Sequence, residues 1–385
     1  MKPATSEFLR QRFTEYYRKE RLQAPPAVGE REFGFIPFEP DTPEVHMRRH
    51  MGFGTARELG DYVRSIVPRH AFYSSAYYAN PGAGTMAEKG WTGADLIFDL
   101  DADHLMRGPY RAMLDRVKEE TAKLLAMLTG ELGFSEREIH LVFSGGRGYH
   151  VHIREIAVRG WGSQERRELI DYVCGIGIEP GVLLRGPAGS GTGGWKERYI
   201  STISEYLLWL RGLGREKAVE HLMGIDGVGK ERAPRFFDAI DTYLAGLGRD
   251  DAGPLVTNQV FTAVSGKPDG KFMELLRAKA ALADEPVTTD TRRLIRMPTT
   301  LHGGSGLRVT PLDLGGFGAF DPLADAVVFS ERSVKVEAGM NLSMELSGNT
   351  WQVTKGPNTV PEALAVFLCA RGLAEVAGEE SRAAR

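Results

Sequence analysis

The spacing of hydrophobic positions predicts an N-terminal helix and, further along, strands that meet at a glycine-rich turn. Apolar residues recur at helical spacing from Thr5 to Leu22, and Pro25-Pro26 ends that pattern. Residues 31–38 alternate like a short strand, and residues 96–101 are apolar enough for a buried one. The other elements predicted in this part are helices over 55–67 and 107–128 and strands over 139–144 and 149–153.

The pattern changes near Trp161, where helical spacing and glycine dominate. Helices are predicted over 199–213, 215–223 and 234–247, and residues 186–194 read as a flexible glycine-rich loop. After Asp284, strands are predicted over 326–329, 334–337, 340–346 and 350–354, and a helix over 361–376. Because strand patterns flank the helical block, we predict a helical insertion, 161–255, in a catalytic domain formed by 1–160 and 256–385.

Composition and charge narrow the class of protein. The 385 residues are 42% hydrophobic and 26% charged, which is typical of globular proteins and excludes disordered, collagen-like and disulfide-scaffold chains. Apolar stretches fall short of the ~20 residues of a membrane span. The first residues are charged where a signal peptide is apolar, so we expect a cytoplasmic protein. The net charge of −3 means that nucleic-acid binding would require basic groups concentrated locally.

The chain has only two cysteines, Cys174 and Cys369, which lie far apart in the sequence. We expect both to be reduced and to act as small buried hydrophobic residues. A cysteine-rich metal site cannot be built from them.

The first candidate for chemistry is a pair of carboxylates, Asp99 and Asp101, on the predicted strand 96–101. Residues two apart on a strand share a face, so the two charges repel unless a cation lies between them. Hard oxygen ligands at this spacing suit Mg²⁺ or Mn²⁺. A solvated strand edge with scattered aspartates is the alternative, because a D-x-D pattern alone is common.

The second candidate is the turn Ser144-Gly-Gly-Arg147-Gly-Tyr-His150. Glycines allow close approach of the backbone to a ligand, and arginine offers a charged fork to phosphate oxygens. His152 shares the face of His150. A wide hairpin loop with a solvated arginine remains the alternative.

The third candidate is the segment 292–304, in which Arg292, Arg293, Arg296 and His302 surround Pro298. A carboxylate of Asp284, Glu285 or Asp290, just upstream, could complete a metal site. On its own, a basic turn of this kind is more often an ordinary surface turn.

In this order, the three segments resemble the catalytic small subunit of archaeal and eukaryotic DNA primase. Further matching features are Tyr16-Tyr17-Arg18, Arg31-Glu-Phe and the run that begins at His70, and the resemblance extends over about residues 5–355. It implies a prim fold, an α/β (α+β) architecture with a mixed β-sheet core and an inserted helical subdomain.

The resemblance also implies roles for individual residues. Two divalent cations, Mg²⁺ or Mn²⁺, would be held by Asp99, Asp101 and a third ligand, for which we choose Asp284 with Asp290 as the fallback. The triphosphate-binding residues of the family correspond here to Ser144, Arg147, His150, Arg296 and His302. Arg31 matches a family arginine near the nucleotide.

One departure from the family pattern concerns zinc. Primase small subunits commonly carry a Cys/His zinc knuckle just after the carboxylate strand, whereas residues 102–110 of this chain contain no cysteine. Structural zinc usually needs four nitrogen or sulfur ligands, and His104 alone does not supply them. We therefore predict no zinc knuckle here.

The function implied by the resemblance is synthesis of short RNA primers de novo on single-stranded DNA by two-metal nucleotidyl transfer. The implied partners are an iron–sulfur large subunit, the DNA template and NTPs or dNTPs. The nearest alternative is a primase-polymerase of the same superfamily that repairs or extends DNA. A metal-dependent nuclease would not need the basic residues, and a non-enzymatic DNA-binding subunit would leave the carboxylates unexplained.

The segment 224–233 is open to two interpretations. It matches the G-x-x-x-x-G-K core of a P-loop, but it lacks the following Ser or Thr and follows a predicted helix. It looks more like a helix-hairpin-helix turn, whose backbone N–H groups contact phosphates. An interhelical turn without a ligand is an equally good interpretation.

Overall fold

The computed structural model describes residues 1–38, 46–104, 107–178, 183, 194–247 and 253–377. Its longer helices are α1 (Pro3–Lys19), α2 (Ala56–Ile66), α3 (Tyr110–Gly130), α5 (Ser163–Cys174), α6 (Trp195–Leu213), α7 (Arg215–Met223), α9 (Ile240–Leu247) and α15 (Glu362–Ala370). The shorter ones are α4 (Ile156–Arg159), α8 (Arg232–Asp238), α10 (Gly253–Val256), α11 (Gln259–Ser265), α12 (Lys271–Arg277), α13 (Glu285–Thr289) and α14 (Pro322–Asp325).

The strands are short and pair antiparallel. In chain order they are β1 (Phe33–Ile36), β2 (Arg48–Met51), β3 (His70–Ser74), β4 (Ala76–Tyr78), β5 (Trp91–Ala94), β6 (Leu96–Asp101), β7 (Ile139–Phe143), β8 (Gly148–Ile153), β9 (Leu294–Arg296), β10 (Thr310–Leu312), β11 (Ser333–Ala338), β12 (Leu342–Leu346), β13 (Asn349–Val353), β14 (Gly356–Pro361) and β15 (Ala374–Val376). Two four-stranded sheets have the orders β2-β1-β3-β9 and β10-β7-β8-β6. A third sheet has the order β14-β11-β15, and β4-β5 and β12-β13 are separate pairs.

The chain divides into two compact units. The first contains residues 1–121, 135–167 and 283–385, and all the strands named above lie in it. The second contains residues 122–134 and 168–282, and its described elements are helices. These borders lie after Arg167 and Leu282 rather than at 160 and 255, and the three-part domain organisation stays a prediction.

Each unit has its own apolar interior. In the first, the side chains of Phe98 and Leu100 on β6 are fully buried. In the second, Phe272 makes edge-to-face contacts with the rings of Tyr199, Tyr206 and Phe261. Aromatic pairs of this kind stabilise a helical core beyond the area they bury.

The fold class is confirmed, since helices combine with antiparallel sheets. The helices predicted over 5–22, 55–67 and 107–128 and the hairpin 139–153 all form, with ends shifted by a few residues. No helix in the described part of the chain is both long enough and apolar enough to cross a membrane.

Three predicted elements differ from the structure. Residues 326–329 form a turn and irregular backbone, not a strand. The predicted helix 361–376 ends at Ala370, and β15 follows it after a turn at Gly372, whose φ is +70°. The predicted helix 234–247 is two helices, α8 and α9, that meet at Ala239. Of the predicted glycine loop 186–194, all but Gly194 lies outside the described residues.

Candidate active site

Two carboxylates share one face of β6, the edge strand of the sheet β10-β7-β8-β6. Asp99 and Asp101 are two positions apart, so both side chains leave the strand on the same side. The alternate residues Phe98 and Leu100 are fully buried in the core. Burial of that apolar face fixes the direction in which the two carboxylates point.

The hairpin β7–β8 brings a histidine and a glycine opposite these carboxylates. His150 pairs in register with Asp99, and its Nε2 lies 3.5 Å from Asp99 Oδ1. Gly148 pairs with Asp101. A Cβ at Gly148 would lie 2.2 Å from the carbonyl oxygen of Leu100. Glycine is therefore required here for the two strands to approach each other beside Asp101.

A cavity of about 500 Å³ opens on this face of the sheet within the first unit. Seven of the predicted site residues line it: Asp99, Asp101, Ser144, Arg147, His150, Arg296 and His302. The structure thus brings the three sequence segments together. Negative groups come from β6, and positive groups come from the glycine-rich turn and from the segment around β9.

Arg296 supplies a fixed positive charge to the cavity. Its Nη1 donates a hydrogen bond to Nδ1 of His70 at 2.6 Å, and its guanidinium lies 5.1 Å from the centre of the Phe72 ring. Burial lowers the pKa of Arg296 to about 10, while the charges of Asp99 and Asp101 act to raise it. The side chain therefore stays charged near neutral pH, opposite the carboxylates.

The two cavity histidines are neutral donors or acceptors and not cations. Burial lowers the pKa of His150 to about 3, with a further contribution from Arg296. Burial and the charge of Arg296 hold the pKa of His302 well below its usual value. Nδ1 of His302 accepts a hydrogen bond from the backbone N–H of Gly304 at 3.1 Å, which places its proton on Nε2. His302 can then donate that proton in a hydrogen bond to a ligand in the cavity.

The glycine-rich turn is held from both sides. The Ser144 hydroxyl accepts a hydrogen bond from the N–H of Gly146 at 3.3 Å, and the Tyr110 hydroxyl donates to the Gly146 carbonyl at 2.5 Å. Arg147 forms an ion pair with Asp103, and about a third of its side chain is exposed. The turn is therefore shaped before any ligand arrives, and Arg147 remains accessible from solvent.

Of the two candidates for a third carboxylate, the structure places Asp284 beside the pair. Its backbone N–H donates to the carbonyl oxygen of Asp99 at 2.8 Å. Burial, together with the charges of Asp101 and Asp284, raises the pKa of Asp99 to about 7. Asp290 is exposed, and its Oδ1 accepts the N–H of Arg292 at 2.8 Å in a local turn.

The donor chemistry of this corner suits a divalent cation. Asp99 and Asp101 present hard carboxylate oxygens to one space, and the raised pKa of Asp99 reflects its burial first and the charges of Asp101 and Asp284 second, both of which a cation would offset. Among the residues that the structure describes, no group of three His, Cys, Asp or Glu side chains is arranged closely enough to hold a metal ion. The pair is thus in place, with Asp284 as its neighbour, but the three side chains do not form a closed site.

Two of the nine predicted site residues, Arg31 and Asp284, do not line the cavity, and Arg31 is bonded to other parts of the protein. Its side chain is fully buried, and Nη2 lies 2.8 Å from Oδ2 of the buried Asp95. Nη1 donates to the carbonyl oxygens of Ser74 and Ser75, and the guanidinium stacks 3.7 Å from the centre of the Tyr77 ring. Because these donors are bonded to other protein groups, Arg31 holds β-strands together, and its role near a nucleotide stays a prediction.

Sequence reasoning missed other residues that line the cavity. They are Tyr110, Ser305 and Arg371, together with Arg293, which was noted only as part of a basic segment. The Arg371 guanidinium lies 4.6 Å from the centre of the Tyr110 ring, at the end of α15. No local sequence pattern predicts a role for Arg371, because only the fold brings this single arginine, after a C-terminal helix, to the cavity.

Comparison with known proteins gives a consistent result. Residues 98–314 match the family model described as the DNA primase small subunit. The chain is 57% identical to the DNA primase small subunit PriS of Methanoregula boonei, over 98% of this chain and all of that protein. It is 53% identical to PriS of Methanosphaerula palustris, over 98% of this chain and 99% of that protein. It is 41% identical to PriS of Halorubrum lacusprofundi, over 98% of this chain and all of that protein.

Proposed function

We propose, from the premise that this chain belongs to the DNA primase small subunit family, that it is the catalytic subunit that makes short RNA primers de novo on single-stranded DNA. The observation that carries this proposal is the first-unit cavity, in which Asp99 and Asp101 face Arg147 and Arg296. A nucleotidyl transfer site needs paired carboxylates and a phosphate-binding wall in one space. Two carboxylates and two guanidinium groups line this one cavity, and this supports the proposal.

Asp99, Asp101 and Asp284 would hold the divalent cations, Mg²⁺ or Mn²⁺. When bound, these ions supply positive charge that lowers the pKa of an attacking 3′-hydroxyl and neutralises the departing pyrophosphate. The protein's part is to keep Asp99 and Asp101 on one face of β6, pointing into the cavity.

The triphosphate would be bound by the basic side of the cavity. Arg296 is held by His70 and Phe72, so little side-chain entropy is lost when its guanidinium meets phosphate oxygens. Arg147 gives a second charged fork from the glycine-rich turn. His302 adds a neutral N–H donor, which orients an oxygen without adding charge.

The family name implies that a small subunit works in a complex, and we propose that the partner is a large subunit that carries an iron–sulfur cluster. The other partners in the proposal are a single-stranded DNA template and NTPs, with dNTPs as a possible second substrate class.

Priming from unprimed DNA tests the proposal. We expect Asp101→Asn to lower primer synthesis on single-stranded DNA with ribonucleotides and Mn²⁺ by at least about 100-fold, the cost of removing one preorganised electrostatic stabiliser. Asparagine keeps the oxygen that accepts the N–H of Asp103, so the fold should be retained. Asp284→Asn should have a similar effect, whereas the exposed Asp290→Asn should be close to wild type.

Each other outcome has a defined meaning. Wild-type activity in Asp101→Asn would refute the carboxylate assignment. Loss of primer synthesis in Asp290→Asn, with activity retained in Asp284→Asn, would make Asp290 the third ligand instead of Asp284. Products formed only from a pre-annealed 3′ end would favour a repair or extension polymerase over a primase, and DNA binding without synthesis would favour a non-enzymatic subunit.

A further inference from the structure

Arg371 lines the first-unit cavity, although it lies outside the three segments that predict the site. It directly follows the last residue of α15, and two contacts fix that end of the helix. A Cβ at Gly306 would lie only 2.4 Å from Cγ1 of Val366, so the turn at Gly306 packs closely against α15. The ring of Phe367 makes an edge-to-face contact with Tyr110, with 5.4 Å between the ring centres. The fold therefore determines where the end of α15 lies along the cavity wall.

The guanidinium of Arg371 is held by aromatic rings, and its charge has no protein partner. It lies 4.6 Å from the centre of the Tyr110 ring and 5.4 Å from that of Phe367. The residue is exposed, and no hydrogen bond or ion pair joins its side chain to another residue in the described part of the chain. A positive charge at a helix C-terminus favours the helix, but this effect does not require contact with a residue of the cavity wall.

Two other arginines of the cavity already have negative neighbours. Arg147 is paired with Asp103, and the charge of Arg296 acts on the carboxylate of Asp99. Arg371 differs from both, since no described carboxylate lies within ion-pair distance of it. Its charge is therefore left for a ligand.

Arg371 lies at the end of the cavity formed by the glycine-rich turn. Asp101 is paired with Gly148, so the turn that precedes Gly148 lies beyond the carboxylates along the strand direction. The Tyr110 hydroxyl donates to the carbonyl oxygen of Gly146 in this turn at 2.5 Å, and Arg371 stacks on the same ring. A ligand that extends from the carboxylates along the turn thus approaches Arg371 at its far end.

We propose that Arg371 binds the terminal phosphate of the incoming nucleotide and makes the site selective for triphosphates, an inference that rests on the proposed function. The cations on the carboxylates would act at the α-phosphate, where the transfer takes place. A phosphate chain that runs from there along the turn brings its third phosphate to Arg371, whose planar fork suits phosphate oxygens. A diphosphate ends one phosphate earlier, so it would keep the contact with Arg296 and lose the one with Arg371. Because the rings already restrict the guanidinium, little side-chain entropy is lost on binding.

Parallel measurements of ATP and ADP binding test this role. Isothermal titration calorimetry of the full chain with Mg²⁺ and without DNA gives both affinities without primer synthesis. The wild type should bind ATP more tightly than ADP. Arg371→Gln should lower the ATP affinity about tenfold and the ADP affinity less than about twofold, because one charge-assisted contact is lost from ATP alone. Arg371→Lys should recover part of the ATP affinity, since it restores the charge but not the fork.

Two further variants are controls. Arg57→Gln removes an exposed charge on α2, outside the cavity, and should leave both affinities unchanged. Arg296→Gln should weaken the binding of both nucleotides, because Arg296 would contact the part of the phosphate chain that they share.

The remaining outcomes would overturn the inference in distinguishable ways. Equal binding of ATP and ADP by the wild type, or an unchanged ratio of the two affinities in Arg371→Gln, would refute the selectivity. A loss of nucleotide binding in Arg296→Gln would in that case leave the proposed function standing. If Arg296→Gln also bound ATP as the wild type does, the nucleotide would lie elsewhere, and both proposals would be wrong.

Discussion

Arg31 gives the sharpest test of how the structure differs from the family-based expectation. If Arg31 serves the fold, Arg31→Met should destabilise the first unit and leave nucleotide binding nearly unchanged. If it serves the nucleotide, the reverse should hold. Methionine is chosen because it fills a similar volume without a charge.

The expected loss in the free energy of unfolding of Arg31→Met follows from the burial of its ion pair. The side chains of Arg31 and Asp95 are 0% and 1% exposed, and their atoms meet at 2.8 Å. Removing one partner of a buried ion pair typically costs about 3–5 kcal/mol, because the other charge is left in a poor solvent. The Tyr77 hydroxyl still donates to Asp95 at 2.6 Å, and Arg154 Nε lies 3.5 Å from Asp95 Oδ2, so we expect the lower part of that range. This is a large fraction of the roughly 5–15 kcal/mol that stabilises a typical protein.

Urea unfolding and ATP titration measure the two quantities side by side. As a control, Arg64→Met breaks an exposed pair with Asp61, for which we expect a change below about 0.5 kcal/mol. The double change Arg31→Met with Asp95→Asn should recover part of the loss, because the fully buried carboxylate is removed together with Arg31, although Arg154 then loses its contact with Asp95. A loss below 1 kcal/mol in Arg31→Met, together with a tenfold weaker ATP affinity, would refute the structural role.

Three further predictions concern the same unit. Gly148→Ala should lower the free energy of unfolding by about 3 kcal/mol or more and abolish activity, since its Cβ would lie 2.2 Å from a backbone atom of β6. The control Gly160→Ala, which has open space around the Cβ, should be neutral or slightly stabilising in thermal unfolding. Burial lowers the pKa of His70 to about 2 in the folded protein. Below pH 6.5 the unfolded chain therefore takes up a proton that the folded protein does not, so the free energy of unfolding falls as the pH falls from 6.5 toward 2. Between pH 7.5 and 5.5 this amounts to about 1.4 kcal/mol, and urea unfolding of His70→Asn should show a pH dependence smaller by that amount. Arg371→Ala should raise the KM for the incoming nucleotide about tenfold with little change in kcat, and equal falls in kcat and kcat/KM would contradict a binding role.

The elements that could be predicted from sequence are those whose side-chain pattern is set locally. Strand β6 reads as apolar on one face with carboxylates on the other, and the structure keeps that division. Parity along the strand placed Asp99 and Asp101 together, and the hairpin brought His150 to the same face. The shared face of Asp99 and Asp101 follows from strand geometry alone, whereas the alignment of His150 with Asp99 depends on the pairing of β6 with β8 in the fold.

The predictions that differ from the structure also have physical reasons. Residues 326–329 are a short apolar run in which Ala326 is buried and the other three residues are partly exposed, and a short apolar run does not by itself distinguish a strand from a turn. The C-terminal helix ends early because Gly372 takes a positive φ and allows the chain to turn back as β15. The burial of Arg31 could not be predicted, because a buried arginine and a ligand-binding arginine look alike in sequence. Only the position of Asp95 in the fold distinguishes them.

Under the proposed function, the charges of the first-unit cavity would make a divalent cation and a triphosphate bind cooperatively. Asp99 and Asp101 face the same space as Arg147 and Arg296, so a triphosphate bound without a cation would lie close to two carboxylates. A cation bound without a triphosphate would lie close to two guanidinium groups. Each ligand removes the repulsion that opposes the other, and such coupling is reciprocal in free energy. A cation and a polyanion that bind together would therefore each meet groups of opposite charge, whereas either ligand alone would also meet groups of its own sign.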